Sequence, residues 1–250
     1  MMKFMVTFNG VDMPDCLKVK AVNTSILPEV KTSYKDVAGG FGVIDTGTTI
    51  GGKTISLDVV IVPPAGKSLL EMQREVAFWL MGNDFKLSPL VISEECDLEY
   101  MAKVNGAVNI KDLFFVGEGT IDFYVPKGIA VGRFTRYGAN ESGNKIIVDY
   151  LGTAPSYPIF EFTPTKDYKN TTLRIAHIET GDTTLITGNF NAGEKIIIDS
   201  TKRLVKKGGV LSLDMIDLKS KWLKLKGRRI NTFTYNLEGE MVLSYQESWL

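Results

Sequence analysis

Apolar residues in this chain recur at every second position, in short runs that stop at glycine, asparagine or proline. MKFMVTFNG, LKVKAV, TISLDVVIV, LRIAHIE, KIIIDS, RINTFTYN and MVLSYQ all follow that rule. A strand buries one face through alternate side chains, so many short runs of this kind predict all-β sandwiches or barrels. One segment breaks the rule. In SLLEMQREVAFWLMG, Leu69, Met72, Val76 and Leu80 fall at helical spacing, and Leu70, Ala77 and Trp79 widen the stripe. Ser68 and Glu71 form a capping box and Gly82 supplies the stop, which predicts a helix of about 13 residues covering a sheet.

Strand patterns resume at EYMAKV and VGEGTIDFYVP. From Gly128 to Asn144 the chain is glycine-rich and polar with little core pattern, which places a domain boundary there, with residues 1–132 before it and 133–250 after it. Beyond it every element has strand character, closing with RINTFTYN, a hairpin turn at Leu237–Glu240, and MVLSYQ.

The chain has 250 residues, 44% of them apolar, enough for real cores, and its 29 acidic residues balance 29 basic ones. No global field therefore draws it to nucleic acid or to an anionic membrane. MMKFMVTFNG reaches polar Asn9-Gly10 too soon for a signal-peptide core, and no run approaches the ~18 apolar residues of a spanning helix. The expectation is a soluble, unsecreted protein, with Cys16 and Cys96 as reduced thiols.

GTTIGGKT, Gly47 to Thr54, spells a phosphate-binding loop. Such a loop works only where a helix leaves it, so that backbone N–H groups converge on the phosphates. Here strand periodicity follows instead, at Ile55, Leu57, Val59 and Ile61, so the segment is a glycine-rich loop between strands and no nucleotide is expected. His177, the only histidine, shares a strand face with Leu173 and Ile175, the position of a packing residue rather than a general base. Glu94, Glu95 and Asp97 lack the spacing of a cation loop. Two basic segments, Lys202–Lys207 and Lys219–Arg229, have lysines alternating with apolar residues, as in edge strands protected against foreign pairing. Trp222, within the second, also admits stacking on a base or a sugar. No catalytic set, cofactor site or metal site emerges.

The segment from Lys31 to Lys53 is different in kind. It is too long for a tight hairpin, and Tyr34, Val37, Phe41, Val43 and Ile44 are scattered through polar residues without a core pattern. These five are candidate oligomer-interface residues on an arm that packs against an adjacent subunit.

YLGTAPSYPIFEFTP, EKIIIDSTKRLVKKGG and WLKLKGRRINTFTYN resemble the distal tail protein family of long-tailed, non-contractile phages. The family's G-x-A-x-x-x-P segment is matched by Gly152, Ala154 and Pro158, its I-I-D hairpin by Ile197, Ile198 and Asp199, and its later glycine turn by Gly227. Phe8–Gly10, the glycines before TISLDVVIV, the helix ending in AFWL, and GEGTIDFYVP fit as well. The chain departs from the family at Lys207-Gly208 and at Lys226-Gly227-Arg228-Arg229. The resemblance implies a non-enzymatic protein of the virion, assembled in the host cytoplasm. Its N-terminal β-sandwich or barrel-like domain, with one helix, would form a homohexameric ring on the tail tube, around a lumen that passes DNA without specific binding. Its C-terminal galectin-like β-sandwich would dock the tail-associated lysin or fibre hub and the receptor-binding proteins, with no cofactor and no membrane. The alternative is an adhesin module whose sandwich recognises a host-wall sugar.

Overall fold

The computed structural model describes residues 4–106, 118–138 and 144–250. The chain divides into two compact units, Met1–Val131 with Leu250 and Gly132–Trp249. In the first, β1 (Val6–Phe8), β2 (Val11–Asp12), β3 (Leu17–Thr24), β4 (Val30–Asp36), β5 (Val43–Ile50) and β6 (Lys53–Ile61) precede α1 (Leu69–Met81). Then come β7 (Ser88–Ile92), β8 (Tyr100–Asn105) and β9 (Glu118–Val125). Met1–Lys3, and Val116 and Gly117 of the expected run before β9, lie outside the described residues.

Seven strands form an antiparallel sheet in the order β2-β1-β7-β8-β9-β6-β3. A bridge from Phe4 to Val19 of β3 turns that sheet toward a barrel. On β6 the alternation is strict: Lys53, Ile55, Leu57 and Val59 are buried, while Thr54, Ser56 and Asp58 are half-exposed. The inner face is covered by α1. Its Trp79 ring lies edge-on to Phe8 and Phe123, at 6.3 and 6.0 Å between centroids, and its Nε1 donates to Val11 O at 3.0 Å. The capping box is formed: Glu71 N donates to Ser68 Oγ at 3.3 Å, and Ser68 N donates to Glu71 Oε2 at 2.8 Å. The buried stripe, Met72, Val76, Trp79 and Leu80, is narrower than the sequence suggests. Leu70 and Ala77 sit roughly 100° or more round the helix from Val76, off the covered arc, and Leu69 lies in the first turn before that arc begins; all three are exposed.

The second unit contains β10 (Ala130–Gly138, beginning in the first unit), β11 (Lys145–Tyr150), β12 (Ile159–Pro164), β13 (Tyr168–His177) and β14 (Thr183–Phe190). It continues with β15 (Ile196–Asp199), β16 (Leu204–Lys207), β17 (Val210–Leu211), β18 (Arg229–Tyr235) and β19 (Gly239–Trp249). A six-stranded sheet, β10-β19-β12-β15-β16-β17, faces a four-stranded one, β11-β18-β13-β14. Phe160 and Phe162 of β12 meet Phe233 and Tyr235 of β18 with centroids 5.2 and 6.0 Å apart, and Leu173, Ile175, Ile186, Ile196, Ile198 and Leu243 complete the sandwich core.

Three local expectations are corrected. The polar segment from Gly128 is largely strand β10; it lies at the edge of its sheet beside β19, so Arg133, Phe134 and Arg136 face solvent and no core pattern marks it. Ala139–Gly143 of that segment lie outside the described residues. The turn at Leu237–Glu240 closes no hairpin, because β18 and β19 belong to different sheets and the chain crosses the sandwich there. A Cβ on Gly239 would stand 2.5 Å from Thr163 O, so this crossing needs glycine. Finally, Lys219–Arg228 is no edge strand but an irregular strap along the edge of β14. Lys221 N donates to Thr183 O at 2.8 Å, and Leu185 N donates to Ser220 Oγ at 2.9 Å. Lys202–Lys207 does end in a strand, β16, bordered outside by the two residues of β17.

The residues shared with the distal tail motifs hold the sandwich's corners. Ala154 and Pro158 are buried, and the Tyr150 hydroxyl donates to Ala154 O at 2.7 Å. Ile198 is buried in the core, and Asp199 Oδ1 accepts from Lys202 N at 2.8 Å, closing the β15–β16 turn.

Candidate assembly surface

GTTIGGKT spans two strands. Gly47–Ile50 end β5, Gly51 and Gly52 connect, and Lys53 and Thr54 begin β6, so only two of the expected loop residues lie outside a strand. The element leaving it is a strand, so no helix end is present to hold a phosphate. Lys53 is only 5% exposed and packs inward.

Among the described residues β4 and β5 pair only with each other. Valine and threonine in both strands, with Tyr34 in β4 and two isoleucines in β5, favour extended backbone, and residues 37–42 connect the strands. The segment is thus a hairpin after all, with strands of seven and eight residues reaching ~25 Å. Every residue of both strands is exposed. Register sets two faces, because directly opposed residues project to the same side. Val30 opposes Ile50, Thr32 opposes Thr48, Tyr34 opposes Asp45 and Asp36 opposes Val43. The other face carries Lys31, Ser33 and Lys35 opposite Thr49, Gly47 and Ile44. A register shift between Ser33 and Tyr34 accompanies Gly47 at φ 133°.

The five interface candidates therefore do not form one patch. Tyr34, 64% exposed, and Val43 share the apolar face, Ile44 lies on the other, and Val37 and Phe41 stand at the tip. Val30 and Ile50 belong to the apolar face and escaped the sequence reading. The signal was their cross-strand pairing, hidden because Ile50 sits inside the apparent phosphate loop.

The remaining candidates fall elsewhere. His177 is buried and stacks on Phe233, centroids 4.7 Å apart, with Nδ1 3.0 Å from Thr180 Oγ1. Its Nε2 lies 3.1 Å from Glu179 Oε2, in a geometry short of a hydrogen bond. Burial pushes its pKa down, against the pull of Glu179. Glu95 accepts a hydrogen bond from the Tyr100 hydroxyl at 2.5 Å, and among the described residues no three His, Cys, Asp or Glu converge as cation ligands. Tyr235 is buried and Trp222 packs on the sandwich core, so neither offers an open platform to a sugar or a base. Among the described residues no helix is long and apolar enough to cross a membrane. Both cysteines are free thiols, Cys16 buried and Cys96 exposed.

Two family models match the chain. One, for the C-terminal domain of the siphovirus-type tail component, matches residues 151–249; the other, for a phage tail protein RIFT-related domain, matches residues 17–125. Among curated proteins, the distal tail protein of Bacillus phage SPP1 is 19% identical over 237 residues, covering 92% of this chain and 90% of that protein. Among solved structures, the crystal structure of SPP1 Dit is described as a paradigm of the hub adsorption apparatus in phages that infect Gram-positive bacteria. It matches with a TM-score of 0.76 at 14% identity and covers 100% of both chains, a likeness of fold.

Proposed function

Because this chain belongs to the distal tail protein family of siphophages, we propose that it closes into a six-membered hub ring joining the tail tube to the proteins of the tail tip. It is a structural component of the phage tail and not an enzyme. Residues 1–132 would form the ring, around a lumen that passes DNA without gripping it. Residues 133–250 would dock the tail-associated lysin or fibre hub and the receptor-binding proteins. Assembly would take place in the host cytoplasm.

The observation that carries the ring is the β4–β5 arm. A lone two-stranded hairpin is marginally stable in water, and this one turns Val30, Tyr34, Val43 and Ile50 to solvent on one face. A neighbouring copy would cover that face. An arm from each subunit on a different surface of the next is a head-to-tail contact, and such contacts close into rings when their rotation divides the circle.

The test replaces residues 31–49 by a two-residue turn. Glu29 N donates to Gly52 O at 3.0 Å and Gly51 N to Glu29 O at 2.7 Å, so the root is already closed. Sedimentation should show rings for the intact chain and folded single chains for the variant. Rings from the shortened chain would refute the arm as the contact.

A further inference from the structure

One core-facing position of β6 does not carry an apolar residue. Along the strand, Lys53, Ile55, Leu57 and Val59 all turn inward, and Lys53 is buried with them. Its Nζ stands over the ring of Tyr100, 4.9 Å from the centroid. The hydroxyl of that ring donates to Glu95 Oε2 at 2.5 Å. Cation, aromatic face and carboxylate thus form a chain from β6 through β8 to the turn after β7. Stripping water from an ammonium group is costly, and a methionine would fill the same space without that cost. Burial lowers the pKa of Lys53, while Glu95 pulls it back up. What distinguishes the position is its place in the chain, three residues past the end of the arm. The root there is tightly fitted. A Cβ on Gly52 would stand 2.6 Å from the Tyr124 hydroxyl, and one on Gly128 would stand 2.8 Å from Gly51 O.

We propose that Lys53 is the anchor of the arm: its contact with Tyr100, backed by Glu95, fixes the strand on which the β4–β5 hairpin is mounted, and so presents the hairpin to the next subunit in one orientation. The proposal rests on the ring reading for its purpose but not for its test. A partner surface held in its bound conformation binds more tightly because less freedom is lost on association. An ammonium over an aromatic face is directional in a way an apolar side chain is not.

The experiment is amide hydrogen exchange on the intact chain under conditions where it is monomeric, comparing wild type, Lys53→Met, Lys53→Arg and Glu95→Gln. Lys53→Met should speed exchange at Glu29, Lys31 and Gly51 by tenfold or more while the amides of β7 and α1 keep their protection. Lys53→Arg, which retains the cation, should restore slow exchange at the root. Glu95→Gln should fall between the two. Unchanged root exchange in Lys53→Met would overturn the proposal, as would faster exchange spread evenly over the unit, which would make Lys53 an ordinary core residue. Neither result depends on ring formation, so a failed anchor and a failed ring are told apart. Where rings do form, Lys53→Met should weaken assembly at least tenfold.

Discussion

At the scale of single residues, burial decides what each candidate can do. Val76 lies under the sheet at the centre of the α1 stripe, so Val76→Asp places an unpaired charge in the core at a cost of several kcal/mol. Thermal melting should show the first unit unfolded in that variant and the second intact; unaltered melting would mean that the stripe faces solvent. His177 yields a pH dependence. Its pKa in the folded chain is depressed, chiefly by burial, below the usual value of about 6.5. As pH falls below 6.5 the unfolded chain gains a proton that the folded chain resists, so stability is full above that value and declines as pH drops toward the folded pKa. Carboxylates titrate lower, and this is the only histidine. The melting temperature of the second unit should therefore fall between pH 7.5 and 5.5, and His177→Gln should abolish that slope. An unchanged slope in the variant would show that another group is responsible. Alternation was enough to place His177 on an inward strand face. It gave no hint of Lys53, because a lysine at an inward position looks the same in sequence as one at a strand end, and only the ring of Tyr100, 47 positions away by number, gives it a place.

At the scale of elements, local chemistry was legible and pairing was not. The helix was visible because Ser68, Glu71 and Gly82 mark its ends by interactions within a few residues. Removing the cap with Ser68→Ala should lower stability by about 1 kcal/mol, measurable as a shift in the denaturant midpoint of the first unit. The sheets to which β18 and β19 belong could not be read, since a corner and a hairpin turn both use Leu237–Glu240 and differ only in what lies beneath Gly239. The strap at Lys219–Arg228 was missed for a related reason: alternation buried Leu223 and Leu225, while Ser220 and Lys221 bonded to β14 instead of extending a ladder. The arm offers the sharpest element-level prediction. If the face with Val30, Tyr34, Val43 and Ile50 is the one a neighbour covers, Ile50→Asp should weaken assembly at least tenfold. Ile44→Asp, on the other face, should do much less. Equal effects of the two would show that both faces are enclosed.

At the scale of the whole molecule, the balance of 29 acidic and 29 basic residues is consistent with a protein that works through its surfaces. The class of fold follows from periodicity, because alternating runs demand sheets and one amphipathic helix demands a sheet to cover. Assembly does not follow from periodicity, since an interface strand obeys the same rules as a solvated one, and the arm is distinguished by pairing with no other strand among the described residues. The count of six is what the family resemblance implies, and it is part of the proposal. The most direct measurement is native mass spectrometry of the purified chain across a range of concentrations. The account predicts a closed species of six times the 27.7 kDa chain mass, with no populated series of larger open oligomers. A single-chain mass at every concentration, or a ladder growing without closure, would contradict it.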